Sequence, residues 1–325
     1  MQLKKPLTLL LTIVCWSYFS LTPIQAQTPY PNKSIRLIVV APPGGTLDSV
    51  SRAFATTLAE GLEQSVVVEN RAGAGGSVGA AEVAAARPDG YTLGMIYDTH
   101  AVNQHLYKNL RYDTFKSFDY VSRIVTSPQI LVAAAAFPAS NVSEFIRYVK
   151  ANPGKVNYGS AGSGSLQHIS GALFEKMIQG SMVHIPYKGG ALANSDLVAG
   201  RVHVVFGPIV ELMPFVSSGA IRVLGVTSLT RSASFPDAHP VAEVVPGYEM
   251  STWHGVFAPK GTNPEIVDVM NKAINAVLAD PPTRTRLIAL GLDPVKSTQQ
   301  EFTKFYFDEI KRWKELVNIA GAKQE

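Results

Sequence analysis

The chain has 325 residues, of which 46% are hydrophobic and 17% charged. That is enough apolar material for real cores and too much length for one ordinary domain, so intrinsic disorder is excluded. The formal net charge is +4 and no run of Lys or Arg exceeds two, which argues against a nucleic-acid surface.

The first 26 residues stand apart. Lys4 and Lys5 precede an uncharged apolar stretch from Pro6 to Leu21, followed by Thr22-Pro23-Ile24-Gln25-Ala26. This order predicts a secretory signal peptide over 1–26 with cleavage near Ala26, and hence a periplasmic protein. The apolar run is shorter than the ~20 residues of a spanning helix. The only cysteine, Cys15, lies in that segment, so the chain after it has no disulfide, thiol nucleophile or thiolate metal site.

The next 70 residues alternate strand and helix patterns. Ile35 to Val40 reads as a strand, and Leu47, Val50, Phe54 and Leu58 recur at helical spacing. A strand at Ser65–Glu69, a helix over Ser77–Ala86, the turn Arg87-Pro88-Asp89-Gly90 and a strand over Tyr91–Ile96 follow. This β-α-β-α-β order predicts a parallel sheet with covering helices.

A second set starts near Ile130. Leu131–Ala136 reads as a strand, Asn141 with Glu144 fits a capping box opening a helix to Lys150, and Val156–Tyr158 is a strand before a helix over Leu166–Gln179. Further strands are expected at Met182–Ile185, Val202–Phe206 and Ile221–Val226. Beyond Ser251, Trp253–Ala258 reads as a strand. Helices then start at Pro264 and Pro281, and a capping box of Thr298 and Glu301 opens a last helix reaching about Ala320. The fold class expected is α/β with two lobes, the first discontinuous: 27–128 plus 251–325 in lobe one and 129–250 in lobe two. Two chain crossings make a hinge, and a ligand cleft lies between the lobes.

Three turns stand out as candidate binding elements. Pro42-Pro43-Gly44-Gly45-Thr46-Leu47-Asp48 joins the first strand to the first helix. Glycines let backbone N–H groups approach a ligand, and a helix N-terminus favours an anion. The same segment also makes an ordinary tight turn with Thr46 or Asp48 as its cap. Gly159-Ser160-Ala161-Gly162-Ser163-Gly164-Ser165 offers hydroxyls and amides at a helix start in lobe two. Facing each other across the cleft, these two turns would hold a carboxylate without a fixed cation. The third turn runs from His184 through Tyr187, Lys188 and Gly189. There Tyr187 offers an aromatic wall and a hydroxyl, Gly189 leaves room, Lys188 reads as a solvated charge and His184 as a structural histidine. The candidate ligand-binding residues are therefore Gly44, Gly45, Thr46 and Asp48; Ser160, Ala161, Gly162, Ser163 and Ser165; and Tyr187, Lys188 and Gly189.

No catalytic pattern is visible: no G-x-S-x-G elbow, no H-E-x-x-H and no P-loop. The seven histidines do not cluster at metal-ligand spacing, and no cofactor or metal is expected. Gly73-Ala74-Gly75-Gly76-Ser77-Val78-Gly79 suggests a dinucleotide-dependent oxidoreductase as an alternative. However, Val78 stands where the fingerprint wants glycine or alanine, and the segment follows the second strand. It reads as a structural loop.

The same segments resemble the substrate-binding component of tripartite tricarboxylate transporters, the Bug family of extracytoplasmic receptors. The resemblance is carried by Tyr30-Pro31-x-Lys33, Pro43-Gly44-Gly45-x-x-Asp48-x-x-x-Arg52, Val68-Glu69-Asn70-Arg71-x-Gly73-Ala74-Gly75-Gly76-x-x-Gly79 and Pro88-Asp89-Gly90-Tyr91-Thr92-Leu93. Farther along it is carried by Ser160-Ala161-Gly162-x-Gly164-Ser165-x-x-His168, His184-Ile185-Pro186-Tyr187-Lys188-Gly189 and Trp253-x-Gly255-x-x-Ala258-Pro259. It implies a type II periplasmic-binding-protein fold that closes on a small organic carboxylate, held by backbone amides, hydroxyls and waters from the glycine turns. It also implies membrane permease subunits as partners. A monomer is expected, and a role in signalling to a sensor kinase is the alternative. Ala72, His203 and Pro240-Val241 depart from the family pattern, and His203 would alter the pocket if it pointed inward.

Overall fold

A computed structural model describes residues 30–233, 235–319 and 321; the signal-peptide reading of 1–26 lies outside them. Strand β1 (Ile35–Val39) is paired in parallel with β2 (Val66–Asn70) on one side and β3 (Thr92–Tyr97) on the other. Four of its five residues are buried, as befits a parallel strand covered on both faces. Helices α1 (Thr46–Leu62) and α2 (Ser77–Ala84) make the connections. A short helix α3 (Thr99–Leu106), which the hydrophobic pattern does not announce, follows β3.

The next strand, β4 (Phe118–Ala134), is 17 residues long, about three times the length expected from the apolar run near Ile130. After it come α4 (Val142–Ala151), β5 (Val156–Ser160), α5 (Leu166–Ile178), β6 (Met182–Pro186), α6 (Gly190–Val198), β7 (Val204–Pro208), α7 (Ile209–Ser217) and β8 (Ile221–Val226). The chain then runs through β9 (Ser251–Pro259), α8 (Pro264–Val277), α9 (Pro281–Ala289), β10 (Asp293–Pro294) and α10 (Gln299–Ile319). The sheet order is β2-β1-β3-β9-β4-β7-β5-β6, with β8 and β10 also pairing β4.

β4 is common to two halves. Its first part pairs antiparallel with β9 as far as Pro128 opposite Ser251. From Gln129, opposite Pro208, it pairs with β7, and from Ile130 it pairs with β8. Pro128 has no N–H to give a ladder, and it stands where the strand changes partners. Pro128, flanked by Thr126, Ser127 and Gln129, also explains why the sequence reads as a strand only beyond it. In the second half, Leu131 and Ala133 belong to the large core, whereas Ile130, Val132 and Ala134 belong to a smaller one with Leu197, Val205 and Leu212. That alternation is the period of two of a strand covered on both faces.

Helix α10 opens with the expected capping box. Glu301 N–H donates to Thr298 Oγ1 at 3.1 Å, and Thr298 N–H donates to Glu301 Oε2 at 2.8 Å. Its inner face carries Phe302, Tyr306, Ile310 and Trp313, and it packs against α3, α5 and β4. At α4 the box is shifted: Asn141 caps Glu144 as expected, but the Glu144 carboxylate accepts from Ser140 N–H at 2.8 Å instead of reaching back to Asn141.

Candidate ligand-binding cleft

In open α/β sheets the crevice beyond the carboxyl ends of the strands is where ligands bind. Here two adjoining cavities lie at that level. The larger, about 840 Å³, is bordered by Gly75, Tyr97, Asp98, Thr99 and Asn103 from the first half and Ser163, Gly164, Ser165 and His168 from the second. The smaller, about 320 Å³, is bordered by Gly45, Thr46 and Leu47 on one side and Gln129, Pro208 and Glu211 on the other. Tyr97, Asp98, Leu166 and Thr252 line both, so the two cavities adjoin along a shared wall and are together termed the cleft. A third cavity, near Arg222 and His239, is lined only by residues between 135 and 244 and has no part in it.

The first-half turn is built around Asp48. Its carboxylate accepts from Gly44 N–H at 2.9 Å, from Asn70 Nδ2 at 2.9 Å and from Arg52 at 3.0 Å. The Arg52 guanidinium, with help from Gly44 and Asn70, holds this buried acid down to about 2. Gly44, with φ of 83°, turns the chain. Gly45, Thr46 and Leu47 then face the smaller cavity, where first-turn N–H groups of α1 have no carbonyl within the helix. Asp48 and Gly44 thus shape the turn from behind, and Gly45 and Thr46 present it.

The second-half turn is braced in the same way. Ser160 is fully buried, and its Oγ lies 2.6 Å from His184 Nε2. Gly162 N–H donates to Ser160 Oγ at 3.1 Å, Ala161 N–H donates to Gln167 Oε1 at 2.7 Å and Gly164 N–H donates to His168 Nδ1 at 3.0 Å. Ser165 caps α5 by accepting from His168 N–H. The rings of His168 and His184 stack with centroids 3.9 Å apart. Burial pushes both below the ordinary histidine value, His184 to about 4, so the pair forms an uncharged platform under the turn. Ser163 and Ser165 border the cleft, but Ser165 donates both its N–H and its hydroxyl to Gly162 C=O, at 3.2 and 2.7 Å, and so joins Ser160, Ala161 and Gly162 in bracing the turn.

The third turn stands behind the second. Tyr187 N–H donates to Ser160 C=O at 3.0 Å, and its hydroxyl donates to Asp196 Oδ2 at 2.7 Å. A side chain at Gly162 would meet Tyr187 C=O at 3.3 Å. Lys188 is exposed, and Gly189, with φ of 131°, precedes α6. None of Tyr187, Lys188 and Gly189 borders either cavity. His203 sits at the far end of the sheet, where its Nδ1 accepts from Asn157 N–H at 2.9 Å, and so it does not enter the cleft.

Sequence reasoning missed part of the wall. Gly75, assigned to a structural loop, borders the larger cavity. Its carbonyl accepts from Asn103 Nδ2 at 3.0 Å and from Thr99 Oγ1 at 3.3 Å. Tyr97, Asp98 and Thr99 were missed with α3. The available signal was their place at the carboxyl end of β3, next to β1. The lining contains Asp98, Glu211, His168 and His254 but, among the described residues, no lysine or arginine.

A long strand shared by two α/β halves, with a cleft where the strand ends meet, defines a two-lobe solute-binding protein. Residues 50–321 match the family model described as tripartite tricarboxylate transporter family receptor. The chain is 35% identical over 304 residues to Protein BugT of Bordetella pertussis, covering 93% of each. Among solved structures it is similar to Rpa4515 of R. palustris with adipate, at 32% identity and a TM-score of 0.71, covering 90% of this chain and 99% of that one. It is also similar to MatC of Rhodopseudomonas palustris with bound malate, at 31% identity and a TM-score of 0.66, covering 89% and 100%. The chain belongs to the tripartite tricarboxylate transporter receptor family.

Proposed function

We propose that this protein captures a small organic carboxylate in the cleft between its lobes, closes on it and hands it to a membrane permease of the tripartite tricarboxylate type. The observation that carries the reading is the placement of two glycine turns from opposite sheet halves, Gly45–Thr46 on the smaller cavity and Ser163–Ser165 on the larger, where the two cavities share Tyr97, Asp98, Leu166 and Thr252. Each turn opens a helix, α1 or α5, whose N-terminal field favours an anion by roughly 0.3–1 kcal/mol. Adipate and malate in similar proteins support the ligand class.

The lobes divide at 128/129 and 250/251. A guest that touches both turns stabilises the closed arrangement, since only there do both engage it. The Tyr187–Gly189 turn backs Ser160 and Gly162 and supports the second turn from behind. The receptor works as an exported, periplasmic monomer without catalysis. Thermal unfolding with a panel of mono- and dicarboxylic acids tests this. Some acid raises Tm if the reading holds, and a broad panel without any shift contradicts it.

A further inference from the structure

Asp98 is 6% exposed, yet it lines both cavities of the cleft. It precedes α3 without making a side-chain cap, and the only donors that favour its charge are its own backbone N–H and that of Thr99. No side chain donates to it among the described residues. Close by, Glu309 is fully engaged: it accepts from Trp253 Nε1 at 3.0 Å, from Trp313 Nε1 at 3.2 Å and from Arg312 Nη1 at 2.8 Å. Burial and the Glu309 charge together push Asp98 up to about 7. The buried Asp98 carboxyl is thus short of a cation and open to the ligand space.

The rest of the lining offers no relief. Glu211 borders the smaller cavity as a second acid. His254 is buried with its Nδ1 unpartnered and is pushed down to about 4, so it carries no charge at neutral pH. With two acids and no lysine or arginine around the cleft, a simple dianion finds no cation there and can sit beside Asp98 only when that carboxyl is protonated. A guest with an ammonium beside its carboxylate resolves both problems. Its acid end faces the amides of the glycine turns, and its ammonium pairs with Asp98 in a charge-assisted hydrogen bond.

We propose that Asp98 is the specificity residue of this receptor and selects an amino-acid-like zwitterion over the matched acid lacking the amine. The proposal rests on the carboxylate-receptor reading above and adds the second charge of the guest to it.

The test is calorimetric titration of the native protein and of Asp98→Asn with matched pairs: L-glutamate against glutarate, L-aspartate against succinate, and L-phenylalanine against 3-phenylpropanoate. In the native protein at least one amino acid binds roughly 10-fold or more tightly than its partner, and Asp98→Asn abolishes that preference. If the deaminated acids bind equally well or better, or if the preference survives in Asp98→Asn, the role of Asp98 is overturned while the receptor reading stands. If none of the six acids binds while another acid of the broader panel does, the role of Asp98 falls and the receptor reading stands; if no acid of the broader panel binds, both fall. The native-protein comparison decides the ligand class even where the variant folds poorly.

Discussion

Gln129 and Thr227 are tied together at the point where the chain passes between the two sheet halves. Gln129 N–H donates to Thr227 Oγ1 at 2.8 Å, and Thr227 N–H donates to Gln129 C=O at 2.9 Å. The Thr227 hydroxyl in turn donates to the carbonyl of Met250, and Met250 N–H returns to Thr227 C=O at 2.9 Å. One fully buried threonine therefore fastens the outgoing strand at 129 to the returning chain at 250. Thr227→Val keeps the shape but strands the Gln129 N–H and the Met250 carbonyl without their hydroxyl partner. It should cost about 1–3 kcal/mol of stability, read as a lower midpoint in urea unfolding. An unchanged midpoint would mean that the main-chain bonds alone hold the crossing.

Asp48 is predicted to matter through the turn it supports. Asp48→Ala leaves Gly44 N–H without its acceptor and Asn70 Nδ2 with only Ala41 C=O, at a cost of about 1–3 kcal/mol. A group held below its ordinary 3.8, here down to about 2, stabilises the fold fully above pH ~4, and that contribution is lost as pH falls through ~2. Unfolding measured from pH 5 to 2 should show a shallower acid limb in Asp48→Asn than in the native protein.

Gly45 offers a way to block the cleft without disturbing the fold. Its backbone is extended, at φ −80° and ψ 173°, and an added Cβ would meet only Pro42 C=O at 3.8 Å. Any L-residue tolerates that conformation. Gly45→Leu should unfold within about 0.5 kcal/mol of the native protein, as a substitution free of clash does, and lose carboxylate binding. Binding at native affinity would remove the first turn from the site.

Histidine burial sets the response to acid. His100, His168, His184, His203 and His254 are all pushed below 6.5 by desolvation, His184 and His254 to about 4. The unfolded chain takes up those protons first. Stability is thus whole above pH ~6.5 and declines as pH falls toward ~4. Asp98 runs the other way: its raised value means that its burial costs stability as pH rises through about 7. Asp98→Asn should therefore raise the ligand-free Tm more at pH 8 than at pH 5, and thermal scans at both values check this.

Much of the fold was legible because the periodicities were clean. The β-α-β-α-β opening, the strands near 156, 182 and 221, and the capping box at Thr298 all correspond to observed elements. β4 was truncated in the reading because Pro128 interrupts it, and a proline is tolerated there only because the strand changes partners. In the site, the turns were identifiable from their glycines and hydroxyls. What sequence could not separate is presenting from bracing. Ser160 and Ser163 are alike as residues, yet one is buried against His184 and the other borders the cleft. Asp98 carried no motif at all, since its importance lies in what fails to surround it.

The most direct measurement follows the lobes themselves. From Gln27 onward the chain has no cysteine, so Lys108→Cys in the first half and Ala191→Cys in the second, both at exposed positions, can carry a pair of spin labels. The account predicts that saturating with a bound carboxylate shortens and narrows the distance between them. A distance distribution identical with and without that acid, while calorimetry shows it bound, would contradict capture between the two lobes.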